Sequence, residues 1–147
     1  LTVLTTTDVA ISTRVSSASN FYSLLIRNAS NGNTIGSIFS TTTSTSFNTS
    51  SDYRLKENVT ATWDATTRLK QLKPVRFNFI ADADTTVDGF LAHEVQTVVP
   101  EAIIGTKDEV DADDNPVYQG IDQSKLVPLL VKTIQELEAR ITALETA

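Results

Sequence analysis

The sequence predicts an α+β fold: a small mixed domain with a long C-terminal helix, preceded by a Ser/Thr-rich β segment. Three observations point to it. Residues 1–50 hold 22 serines and threonines but only three charged side chains, Asp8, Arg14 and Arg27. The remaining 97 residues carry 10 basic and 17 acidic groups and switch between strand-like and helix-like patterns. The C-terminal stretch repeats apolar residues with heptad spacing.

The totals narrow the function classes. A chain of 147 residues has room for one ordinary domain, or a small one with an appendage. Its 40% hydrophobic content is enough for a core, and no run of about 18 apolar residues predicts a membrane span. The opening "LTVLTTTDVA" has neither a basic n-region nor a long apolar h-region, so no signal peptide is expected. It also lacks an initiator Met, which leads us to expect a piece of a longer chain. The absence of cysteine excludes disulfides, thiol chemistry and zinc-thiolate sites, and fits a reducing compartment. The net charge of -6 is concentrated beyond residue 50 and repels phosphate backbones, so nucleic acid is not an expected partner. With His93 the single histidine, His-cluster metal sites are excluded.

Each element has its own signal. "FYSLLIR" and "TIGSIFS" read as strands joined by "NASNGN", where Asn31-Gly32 is a tight-turn signal. Nearly uncharged, Thr-rich strands without a strong period bury little within one chain. Ser/Thr richness alone fits a disordered linker, but Leu24, Leu25, Ile26, Ile35, Ile38 and Phe39 are more apolar than linkers tolerate. We therefore expect an intertwined β segment completed by other chains. "TWDATTRLKQLKP" reads as a short helix with Asp64 in its first turn and a stop at Pro74. "VRFNFI" alternates strictly and reads as a half-buried strand, and "DADTTVDG" reads as a turn. "GFLAHEVQTVVP" begins as a strand and continues as a short helix. Strands are expected near 75–80, 88–92, 101–104 and 117–121, with a charged loop between the last two.

The tail carries the strongest periodicity. Val127, Leu130, Ile134, Leu137, Ile141 and Leu144 recur at intervals of 3, 4, 3, 4 and 3, a heptad seam with Val127, Ile134 and Ile141 at a and Leu130, Leu137 and Leu144 at d. In this register Arg140 is g and Glu145 the following e, so the two can pair between parallel helices. Pro128 falls in the first turns, where it costs least. One amphipathic helix packed on its own domain would also show apolar periodicity; three clean heptads favour self-association. Packing of Val or Ile at a with Leu at d leans toward dimers, a lean that other contacts can override.

At the seam between the two compositions stands "SSDYRLKENV", Ser50 to Val59. Read alone, it is a turn with a Ser or Asp cap and solvated Arg and Lys. With "LKPVRFNF", "GFLAHEVQTVVPEAI" and "YQGIDQSKLVPLLVKTIQELEARI" following in order, residues 51–141 resemble the C-terminal intramolecular chaperone domains of bacteriophage tail spikes, tail fibres, endosialidases and neck appendages. That family is also classed as a self-cleaving peptidase. The most specific matches are the Ser-Asp-x-Arg-x-Lys opening, the Gly-Phe-x-Ala-x-Glu-Val element and the helical tail. His93 departs from the Gln of many relatives, and Phe79 stands where an aromatic, often Trp, is usual.

The resemblance implies a homotrimer, with the long helix, residues 122–147, in a trimeric helical bundle. Residues 1–51 would then be the end of the fused fibre or spike, a triple-stranded β-helix, and residues 52–147 the chaperone that registers it. It also implies release by autoproteolysis at Ser51–Asp52, with Ser51 and Lys56 as a catalytic dyad. Synthesis in a bacterial host's cytoplasm is expected, with the passenger portion kept in the virion tail or appendage. His93 and Glu94 would belong to the folding and oligomer interface, though a partly buried histidine at a helix start fits His93 as well. The competing expectation is a permanent trimerisation tip that never cuts.

The physical logic is consistent with these implications. Strands with little register information need an external clamp, and closing three chains together costs entropy before contacts form. A domain that trimerises first raises the strands' local concentration, and its removal traps the product kinetically. Cutting needs a nucleophile and a base. Ser51 supplies a hydroxyl, and Lys56 serves as base only when neutral, in a dry setting or beside another cation such as Arg54. Ser51 attacking its own carbonyl would close a four-membered ring, which is prohibitively strained. Scission after Ser51 therefore needs a neighbouring chain's Ser51, an activated water, or the Asp52 carboxylate acting through a six-membered ring. Attack on the Ser50 carbonyl is easier but breaks the preceding bond.

Two metal-like patterns fail. His93-Glu94 lacks the second histidine of H-E-x-x-H, since Thr97 occupies that place. Asp111, Asp113, Asn115 and Asp122 resemble a calcium loop, but Pro116 stands where glycine is needed. No metal and no cofactor is expected.

Overall fold

The computed structural model describes residues 20–147; the part of the expected β segment that falls on residues 1–19 lies outside the described residues. By its internal contacts the chain divides into two units, Leu1–Val59 and Thr60–Ala147.

In the first unit, β1 (Phe21–Arg27), β2 (Thr34–Ser40) and β3 (Thr45–Thr49) form an antiparallel sheet with β2 in the centre. The strands pair within one chain. Asn28 and Gly32 close the first turn, the Gly32 N–H donating to the Asn28 carbonyl at 2.9 Å. Gly32 adopts φ 71°, the left-handed conformation in which a side chain is strained. The second turn was not signalled by glycine or proline. It is a hydroxyl turn, in which Thr41 Oγ1 accepts from the N–H groups of Thr43 and Ser44 at 3.2 and 3.0 Å. Cross-strand partners share a face, so the registers Leu24↔Ile38 and Ile38↔Phe47 align three apolar side chains across the sheet. Phe47 is nonetheless 80% exposed.

The second unit is mixed α and β. The short helix α1 (Ala65–Leu69) starts at Asp64, whose carboxylate accepts from the Thr67 N–H at 3.0 Å. Asp64 is thus the N-cap and not a first-turn residue. Next come β4 (Val75–Phe79) and β5 (Asp82–Gly89), an antiparallel hairpin. The "DADTTVDG" segment expected as a turn is therefore a strand. Cross-strand pairing outweighs its turn-like composition: Arg76 makes two bonds to the Asp88 carboxylate at 2.7 and 3.1 Å, and Asn78 donates to the Ala83 carbonyl.

The strand expected at 88–92 ends at Gly89, and Leu91 caps helix α2 (Ala92–Gln96). The strands expected at 101–104 and 117–121 shrink to β6 (Ile103–Ile104) and β7 (Gly120–Ile121), paired as a two-residue antiparallel ladder. Residues Gln123–Leu126 form a 3-10 turn capped by Asp122, and helix α3 runs Val127–Glu145, shorter than the expected 122–147.

The core gathers Ala65, Val95, Val98, Val99, Ala102, Leu126 and Leu129, with Trp63, Leu69, Leu72 and Phe90 packed against it. Arg68 ties α1 to the segment after α2, its Nε donating to the Val98 carbonyl at 2.8 Å and its Nη2 to Glu101 at 3.1 Å. The 3-10 turn and α3 give Leu126 and Leu129 to this core, and Thr133 of α3 is buried as well. The seam residues Val127, Leu130, Ile134, Leu137, Ile141 and Leu144 are exposed, although Leu130 also borders a cavity beside Leu69, Leu72 and Phe90.

Candidate functional site

The seam lies in the first unit. Ser50 is tied back to β2: its N–H donates to the Ile35 carbonyl at 3.1 Å and its Oγ to the Thr34 carbonyl at 2.8 Å. Past it the chain leaves the sheet and makes a 3-10 turn, Tyr53–Leu55, with Asp52 as N-cap. The Asp52 Oδ1 accepts from the Arg54 N–H at 2.9 Å, which is what starts the turn here. The Leu55 and Lys56 N–H groups donate to the carbonyls of Asp52 and Tyr53, both at 3.1 Å. At Lys56 the backbone becomes extended, with φ -125° and ψ 139°.

This turn reverses the chain enough to bring Lys56 back to Ser51. The Lys56 Nζ donates to the Ser51 Oγ at 2.8 Å. Asp52 and Arg54 form a second pair: the guanidinium Nε and Nη2 donate to Oδ1 and Oδ2 at 2.9 and 2.8 Å, the planar bidentate fork that arginine favours. The Arg54 side chain, then its backbone N–H, and last the charge of Lys56 hold the Asp52 carboxyl below the usual carboxylate range, against a smaller cost of burial. Asp52 in turn raises the Arg54 guanidinium above its ordinary value. Arg54 was expected as a candidate cation neighbour of Lys56; its charge is paired with Asp52. Residues 51–60 are all exposed in the single chain.

His93 and Glu94 belong to the second unit, on α2. Glu94 is partnered by Lys73, whose Nζ donates to its Oε1 at 3.2 Å. His93 is half-buried and borders a cavity of about 400 Å³ lined also by Thr106, Glu109, Pro116 and Tyr118. Two carboxylates of the calcium-like pattern are engaged in backbone turns. Asp111 accepts from the N–H groups of Asp113 and Asn115 at 2.9 and 3.0 Å, and Asp122 from Ser124 at 3.0 Å.

One carboxylate that joins two elements was missed. Glu136 of α3 reaches across to the start of α1, accepting from the Ala65 and Thr66 N–H groups at 3.1 and 2.8 Å and from the Thr66 hydroxyl at 2.6 Å. The Thr66 hydroxyl bond is the main reason its carboxyl sits below the ordinary glutamate value. No local signal could have found it, because its partners lie some seventy positions away. These bonds tie α3 to the first turn of α1.

Residues 51–104 match the family model of peptidases described as chaperone of endosialidase. No curated protein matches the chain. The match opens at Ser51, so the Ser51–Lys56 and Asp52–Arg54 pairs stand at its first residues, and His93 and Glu94 lie inside it. Over residues 51–104 the chain is thus similar to the chaperone of endosialidase family, in agreement with the resemblance to C-terminal intramolecular chaperone domains that its sequence carries.

Proposed function

We propose that residues 52–147 form a releasable threefold clamp. Three copies associate through α3, bring the upstream β segments of a phage spike, fibre or neck appendage into register, and are then cut away at Ser51–Asp52. The observation that carries this reading is the face of α3 left free. The domain packs the helix by Leu126, Leu129 and Thr133, yet the heptad residues stay exposed, Ile134 at 65%. An apolar stripe of this length, beside a face that is already packed, calls for further helices. The neighbouring Val131, also exposed, widens it beyond a strict a/d seam, which favours three helices over two. The first unit fits the role of passenger, since its sheet leaves Leu24, Ile26 and Phe47 exposed and needs other chains to cover them.

The 2.8 Å contact between Lys56 and Ser51 supports a Ser-Lys dyad at the junction. Lys56 takes the serine proton only in its neutral form, which a dry setting favours. Assembly supplies that setting, which couples cutting to correct association. The exposure of residues 51–60 in one chain is also what a permanent, uncut trimerisation tip would have. Sedimentation equilibrium and intact mass separate the readings. We expect three copies and a fragment beginning at Asp52; three copies of whole chain indicate the permanent tip, and a monomer removes both. Ser51→Ala is expected to leave a folded trimer of uncut chains, and normal processing of that variant would rule out Ser51 as nucleophile. Lys56→Ala is expected to stop or strongly slow cutting without preventing association, and unchanged cleavage kinetics would remove its role as base.

A further inference from the structure

We propose that the cut is made between copies: Ser51 of one chain attacks the Ser51–Asp52 bond of a neighbouring chain. The inference rests on the reading above, that the chains associate and are cut at this junction, and adds which chain supplies the nucleophile. Four observations lead to it. The Lys56 amine sits on the Ser51 hydroxyl of its own chain at 2.8 Å, which puts Oγ in place to lose its proton once Lys56 is neutral. That Oγ cannot reach its own carbonyl carbon, because the ring formed would have four members. The Asp52 carboxylate, the other group able to reach that carbonyl, is held through both oxygens by Arg54 and is a weakened base. Attack on the Ser50 carbonyl would break the Ser50–Ser51 bond and not the Ser51–Asp52 junction of the reading above, and Ser50 is anchored to β2 by its N–H and hydroxyl.

What remains is a serine beside its base that cannot reach the Ser51–Asp52 bond of its own chain, on a stretch open to a second copy. In an assembly held in register, the junctions of all copies lie at one level, within reach of each other's hydroxyls.

The step balances as follows. Neutral Lys56 takes the Oγ proton as Oγ bonds to the neighbour's Ser51 carbonyl carbon, giving a tetrahedral oxyanion. Its collapse breaks the C–N bond, and the Lys56 ammonium gives its proton to the departing Asp52 nitrogen. The resulting ester joins the two serines. One water hydrolyses it, restoring the hydroxyl and leaving a carboxylate on the cut chain.

Co-expression of two differently tagged chains tests this. One is wild type and the other carries Ser51→Ala together with Lys56→Ala, so it has no nucleophile and no base. Mixed assemblies are isolated through both tags, which selects chains that have folded and associated, and their fragments are weighed. We expect the doubly substituted chain to be cut between positions 51 and 52 in mixed assemblies, with a yield that rises with the share of wild-type chains, and to stay whole in assemblies of its own. If it stays whole in mixed assemblies while its wild-type neighbours are cut, the attack is within one chain and the inference is overturned. Wild-type assemblies that never cut would instead remove the parent reading, and this one with it, so the two failures are distinct.

Discussion

The two units handle apolar surface in opposite ways. The second closes a core: Leu129 is 2% exposed, and Ala65, Val95 and Val99 are buried as fully. In the first, Ser37 is the one buried side chain among the described residues, while Tyr22, Leu24, Ile26, Ile35 and Phe47 are exposed. Its strands are held by backbone pairing and hydroxyl bonds such as Ser40 Oγ to Thr45 Oγ1 at 3.2 Å. Such bonds exchange against water and stabilise little on balance, whereas burial of a leucine side chain is worth about 2 kcal/mol. The comparison separates a unit that closes a core of its own from one that leaves its apolar side chains open, which is the contrast the proposed helper and passenger roles require.

The comparison breaks most visibly in the core. Leu129→Ala is expected to destabilise the second unit by about 2–5 kcal/mol, read as a lowered denaturant midpoint in the fluorescence of Trp63, which packs on that core. A loss below about 0.5 kcal/mol, the size of an ordinary surface change, would mean that Leu129 is not a core residue. Ile134→Asp sharpens the contrast between the two faces of α3. It should dissociate the assembly in sedimentation while leaving the Trp63 signal native. A substitution that unfolds the domain, or leaves the assembly intact, contradicts a seam reserved for other copies.

The smallest effect concerns Glu136. Its carboxyl is held below the ordinary value, so it contributes stability above the ordinary carboxylate range and loses it as the pH falls through the lowered value. Glu136→Gln should therefore weaken the fold at neutral pH and flatten the acid limb of its stability curve. An acid limb of unchanged slope would show that the bond to Thr66 contributes nothing.

Much of the architecture was legible from the chain. The first hairpin, the short helix ended before Pro74, the strand at 75–79 and the C-terminal helix all follow from local pattern. The misses share a cause. The strand Asp82–Gly89 is built from turn-forming residues and exists because Arg76, Phe77 and Asn78 pair with it. The strand Thr45–Thr49 follows a turn made by threonine and serine hydroxyls, chemistry weaker as a sequence signal than the Asn-Gly before it. At the seam, residue identities named Ser51, Asp52, Arg54 and Lys56. The pairing among them, arginine to aspartate and lysine to serine, depends on the turn that Asp52 caps.

By itself, then, the sequence determined the division in composition at residue 50, the family resemblance, the helical heptad and the chemical groups at the junction. These are properties of neighbours along the chain, where period and spacing suffice. Only the tertiary structure decided which face of α3 the domain occupies and which remains free. Leu126 and Leu129 join the core with Ala65, and Glu136 meets Thr66 at the start of the domain; contacts between residues so distant in sequence leave no periodic trace.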